Sequence, residues 1–186
     1  MSKASKIVVL CEDKAHEVFV CRFLKSGWKV QPRDIRVPEY PRGKGSGKKH
    51  VEDAIGKEAK ALRKRQASTI LLVVRDADEN SLDDVTTILD AKIQPPREKK
   101  DQIMYIIPKW HLETWVAYLD DVEVDESDKI TYKHKYKSIC ESKIVHQFVD
   151  KLAGDCKGKN NLKSPPDSLV AACNEFERIR GALTGN

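Results

Sequence analysis

The stretch STILLVVR, residues 68–75, constrains this chain more than any other. Its five successive residues Ile70–Val74 offer no polar position to water, and β-branched residues recur among them, so the run predicts a central strand covered on both faces. A strand of that kind belongs to a parallel sheet, which needs helical crossovers between its members. The rest of the N-terminal sequence supplies them. Ile7–Leu10 is a shorter apolar run, "DIRVPEY" a weaker strand closed by Pro38 and Pro41, and "QIMYIIP" (102–108) a fourth. Between them, Phe19, Val20, Phe23 and Leu24 mark one helical face that Gly27 is expected to end. Val51, Ile55, Ala59 and Leu62 mark a second helix, and Leu82, Val85, Ile88 and Leu89 a third beginning near Ser81. After the fourth strand, "WHLETWVAYL" gives a helix with Leu112, Trp115, Val116 and Leu119 apolar. The alternation βαβαβαβα predicts an α/β, Rossmann-like domain with a mainly parallel four-stranded sheet flanked by helices. The domain spans residues 1–120, and residues 121–186 form a short helical C-terminal extension. In the extension, "DDVEVDESDKITYKHKYKS" is a polar connector, and helices are expected near 138–153 and 167–180.

Both of the strongest apolar runs end in carboxylates. "KIVVLCED" closes on Glu12, and "LLVVRDADEN" on Asp76 and Asp78. Sites in open parallel sheets form beyond the carboxyl ends of the strands, so these three groups are the candidate catalytic and metal-ligating residues. Residues two apart on an extended strand end point the same way, which would let Asp76 and Asp78 share one hard divalent cation, Mg²⁺ or Mn²⁺. The bland alternative for "DADEN" is a solvated turn capping the helix from Ser81.

Charge is unevenly distributed in a chain of net charge +5. Residues 41–66 carry nine Lys and Arg against three acidic residues, as do residues 129–163, whereas residues 76–128 hold fifteen acidic residues against five basic ones. An acidic centre between basic flanks fits a metal site beside a polyanion, with nucleic acid as the expected partner, and fits a solvated charged surface equally well. Lys44, Lys48 and Lys49, followed by Lys60, Arg63 and Lys64, are the candidate backbone-binding residues. "GKGSGKKH" is not a P-loop: Arg42 stands where the first glycine is required and Lys49 where Ser or Thr is required. Five histidines without HxxxH or HxH spacing and five cysteines without a CxxC pair point away from zinc. No apolar stretch suffices to span a bilayer and "MSKASK" lacks the core of a secretory signal, so the expectation is a reduced, cytoplasmic protein without a membrane partner.

"VVLCED" followed by a helix, and then "LLVVRDADEN", together resemble the two motifs of the TOPRIM domain, over roughly residues 5–120. That domain occurs in topoisomerases, bacterial primases, the OLD nucleases and small nucleases of recombination and defence. The resemblance implies a Mg²⁺- or Mn²⁺-dependent nuclease, a phosphodiesterase acting on DNA or RNA. Glu12 would correspond to the acid–base glutamate, and Asp76 and Asp78 to the paired metal-binding aspartates. It departs from the family at Asn80, where many members carry a third acidic residue. "PKWHLETWVAYL" is similar to a tryptophan/glutamate helix in small TOPRIM-like proteins, which adds Glu113 as a catalytic or supporting residue, with His111 and Lys109 as weaker candidates. The same resemblance implies an antiviral defence effector with a separate ATPase subunit as partner. Two other readings share the same residues: a non-catalytic nucleic-acid-binding adaptor that keeps the fold, and a nucleotidyl- or phosphoryl-transfer enzyme acting on small molecules.

Overall fold

Because the apolar runs have no side to give to water, they assemble at the centre of a three-layer structure. A computed structural model describes residues 3–40, 47–65, 67–157 and 162–185. Strands β1 (Lys6–Cys11), β2 (Ile35–Arg36), β3 (Thr69–Val74) and β4 (Ile103–Ile106) form one sheet in the order β2-β1-β3-β4. Every pairing is parallel, with Cys11 opposite Val74 and Val74 opposite Ile106. The architecture is α/β and Rossmann-like. Successive strand residues face opposite layers. Ile7, Val9, Ile70, Leu72 and Met104 pack against α1 (Lys14–Trp28), α4 (Leu112–Leu119) and the C-terminal helices. Val8, Leu10, Leu71, Val73 and Tyr105 pack against α2 (Gly47–Lys64) and α3 (Leu82–Asp90).

Helix ends follow their capping chemistry. Asp13 caps α1 by accepting a hydrogen bond from the His16 amide (3.0 Å). Ser81 and Asp84 close a capping box on α3. Gly27 does not end α1, as the sequence reading expects; the helix runs through it to Trp28 and stops at left-handed Lys29. A methyl on Gly27 would lie only 3.2 Å from Ala153 Cβ, so the glycine serves close helix–helix approach instead of termination.

Two further differences concern the C-terminal third. The polar connector contains a helix, α5 (Thr131–Cys140), whose Tyr132, Tyr136 and Cys140 are buried four residues apart. The basic residues between them mask this stripe in the sequence. It is followed by α6 (His146–Lys157), α7 (Asp167–Arg178) and α8 (Arg180–Thr184). These helices share the core of residues 1–120: Phe23 and Phe176 rings lie 4.5 Å apart, and the Trp115 indole N–H donates to Ser168 Oγ (2.7 Å). Helix α7 also lies along the outer side of β4, where the Tyr105 amide donates to Glu175 and Arg178 donates to the carbonyls of Lys99, Asp101 and Ile103. Cys156 and Cys173 are joined as a disulfide between α6 and α7 (Cα–Cα 6.0 Å), correcting the expectation of five reduced thiols. Packing of both helices on one core face brings the pair together. Among the described residues, no helix is long and apolar enough to cross a membrane.

Candidate metal centre

From β1 the chain passes outward to β2 at one edge, then crosses back to β3 on the other side of β1. Connections therefore diverge between β1 and β3, and a crevice opens at their carboxyl ends. Glu12 directly follows β1, and Asp76 and Asp78 follow β3. The sheet spacing thus brings carboxylates sixty-odd residues apart to one place.

Each aspartate meets a basic side chain from a different helix. Asp76 Oδ1 lies 3.0 Å from His16 Nε2, on the buried face of α1. The other ring nitrogen, Nδ1, is 3.4 Å from Asp13 Oδ1. Asp78 pairs with Lys48 in the first turn of α2. The expectation that Asp76 and Asp78 point the same way does not hold, because the chain leaves the extended conformation at Asp78, whose φ is 53°. The two aspartates instead reach to opposite sides of the sheet edge. Glu12 feels both charges, that of Asp76 more strongly. Its Oε1 is buried and has no hydrogen-bond partner.

The electrostatics follow from this placement. Burial, and then Asp76, push the Glu12 carboxyl up to about 7, although His16 and Lys48 pull it down and Asp78 adds to the rise. Burial alone would discharge the His16 imidazolium, yet Asp76, with Asp13 and Glu12 adding, holds it up at about 10. His16 is therefore a fixed internal cation at neutral pH.

Glu113 belongs to the same field. It is buried at 6% exposure in the first turn of α4, with Oε2 3.8 Å from His111 Nδ1. Burial and then, among the charges, Asp76 raise its carboxyl, against Lys133 and His16. His111, 3% exposed, is pushed below the ordinary imidazole range by burial, with Lys133 adding and Asp76 opposing. Lys109 donates to the Asn80 carbonyl (2.6 Å), fastening the loop after β3 to the start of α4.

The expected phosphate-binding residues do not form one surface. Lys48 is at the crevice, tied to Asp78. Lys49 is exposed in the same turn, and Lys44 lies outside the described residues. Lys60 and Lys64 are exposed toward the far end of α2, about 20 Å and about 25 Å from Gly47 at about 1.5 Å per residue. Arg63 is occupied inside the protein, donating to the carbonyls of Pro95 and Pro96 and pairing with Asp101 (2.6 Å). Sequence reasoning missed His16 altogether. Its signal was a lone polar residue on the apolar stripe of α1, three residues after an N-cap aspartate.

Among the described residues, no group of three His, Cys, Asp or Glu side chains stands together as a ready-made cation cage. Of the three carboxylates, Glu12 offers the kind of oxygen that a hard cation accepts, buried and unsatisfied, while Asp76 and Asp78 are engaged by His16 and Lys48. Comparison with protein-family models, curated proteins and solved structures finds no match for this chain.

Proposed function

We propose that this protein is a metal-dependent nuclease that hydrolyses phosphodiester bonds, with Glu12, Asp76 and Asp78 as the residues that hold Mg²⁺ or Mn²⁺. The observation that carries this reading is the buried, unpartnered Oε1 of Glu12 beside two aspartates at the switch point of a parallel sheet. A divalent cation there would polarise the scissile phosphate and make water acidic enough to supply a nucleophile. The chain's own residues supply the rest. His16 fixes the direction of Asp76 through Nε2. Burial and Asp76 hold the Glu12 carboxyl up at about 7 without a cation, and a bound divalent ion would favour its ionised, ligating form. Lys48 offers an ammonium at the crevice mouth for a phosphate oxygen when it leaves Asp78. Glu113, buried behind the loop, keeps a second high-pKa carboxyl near the same point. The resemblance to TOPRIM motifs supports the same assignment, including a place among defence effectors with an ATPase partner.

The test is an assay on plasmid, single-stranded DNA and RNA with Mg²⁺, Mn²⁺ or EDTA. Cleavage is expected with either metal and not in EDTA. It should fall at least a hundredfold in Asp76→Asn and in Glu12→Gln, because each change removes a charge that the transition state needs. Nucleic-acid binding without cleavage in any metal would favour the adaptor reading. Activity that survives both substitutions would remove the proposed site.

A further inference from the structure

The far end of α2 is a poor place for substrate to reach the carboxylates, since it stands about 20 Å from the crevice and Arg63 is already engaged. A different basic surface begins at the crevice itself. Helix α5 buries Tyr132, Tyr136 and Cys140, and leaves Lys133 and Lys137, one turn apart, exposed on one flank of that stripe. The charge of Lys133 is felt at both Glu113 and His111, so the start of α5 adjoins the site. Lys129, just before the helix, pairs with Glu79 (3.4 Å) in the loop that carries Asp76 and Asp78. The Lys129 ammonium also stands 4.4 Å from the centre of the Trp110 ring, with Lys109 5.4 Å from the same ring. Trp110 is only half-buried, and its indole N–H, although buried, has no hydrogen-bond partner.

An aromatic ring flanked by lysines, opening onto a row of lysines, is the composition of a single-strand binding platform. We infer that a single-stranded polynucleotide lies along α5, with phosphates on Lys129, Lys133 and Lys137 and one base on Trp110, and that it leads into the carboxylate crevice. A duplex is disfavoured because a paired, stacked base cannot present its face to the indole. The binding surface stands on its own geometry; only its role of delivering a scissile phosphate rests on the nuclease reading.

The experiment measures binding of a fluorescein-labelled fifteen-residue oligothymidylate, and of a duplex of equal length, to the full chain in EDTA at several salt concentrations. The triple variant Lys129→Glu/Lys133→Glu/Lys137→Glu is compared with Lys57→Glu/Lys60→Glu/Lys64→Glu, which changes net charge equally on exposed positions of α2. Melting curves establish that both are folded. The α5 variant should bind the single strand at least tenfold more weakly, and its salt slope should shrink by about two, as expected for three lost phosphate contacts on a single strand. The α2 variant should stay within about threefold of wild type. Trp110→Leu should weaken single-strand binding several-fold with the salt slope unchanged, and Trp110→Phe should restore part of it. Equal losses in the two triple variants, a larger loss in the α2 variant, or a wild-type preference for duplex would each overturn the inference. If the α5 variant behaves as expected but wild type cleaves nothing with Mg²⁺ or Mn²⁺, the surface stands and the nuclease reading falls. If cleavage proceeds and the α5 variant binds normally, the reverse holds.

Discussion

Glu12 and His16 share one crevice, and both keep protons above their ordinary range, with opposite effects on charge. His16 is a cation held by carboxylates. Glu12 is a carboxyl whose ionisation burial and Asp76 resist. A raised carboxyl favours folding fully below its unfolded value near 4.5, and that contribution is lost as pH rises through about 7. In EDTA, wild type should therefore lose stability between pH 4.5 and 7 that Glu12→Gln keeps. At pH 8 the variant should be the more stable by roughly 3 kcal/mol, since one pKa unit corresponds to about 1.4 kcal/mol. Urea denaturation of both proteins across that range measures it, and parallel pH profiles would mean that Glu12 is not strained. Asp76, unlike Glu12, has a direct partner in the buried His16 ring, at 3.0 Å. This division of labour was not legible in the sequence. The acidic residues announce themselves at two strand ends, whereas the balancing histidine lies inside a helix stripe and only folding places it beside Asp76.

Element placement depends on one close approach. At Gly47 the first turn of α2 presses on the backbone of Glu12, and a methyl there would overlap the Glu12 carbonyl. Gly47→Ala must shift either the helix or the turn after β1, so it should lower the melting temperature and also reduce metal-dependent cleavage. Gly154→Ala makes the contrast: no atom lies within 4 Å of the added methyl inside α6, and the variant should gain about 0.5–1 kcal/mol from helix propensity and a less flexible unfolded chain. Thermal melts of the two variants beside wild type, with a cleavage assay of Gly47→Ala, test the pair. Strands β1, β3 and β4 and helices α1 to α4 were legible because their apolar positions are continuous or evenly spaced. Helix α5 was not, since Lys133, Lys135 and Lys137 alternate with its buried tyrosines and make the segment read as a polar connector. Gly27 misled for a related reason: sequence shows a glycine, but only packing shows whether it ends a helix or admits Ala153.

At the scale of the whole molecule, residues 121–185 complete the core that the first 120 begin, with Phe176 stacked near Phe23 and Trp28. The carboxylates at the sheet's end thus rest on helices from the far end of the chain as well as on their own strands. The contacts of α7 along β4 have a further consequence for how copies of this protein meet one another. An edge strand with free amides and carbonyls is a template for pairing with another chain, and β4 is such an edge. Here Glu175 occupies the Tyr105 amide and Arg178 the Ile103 carbonyl, so two of the strand's outward hydrogen-bonding groups are already engaged. The opposite edge, β2, is only two residues long. The Glu175→Ala/Arg178→Ala variant should therefore form β-rich aggregates at concentrations where wild type stays monodisperse, seen by light scattering and thioflavin fluorescence on mild heating. Side chains of one helix act as the gatekeepers that keep this sheet four strands wide.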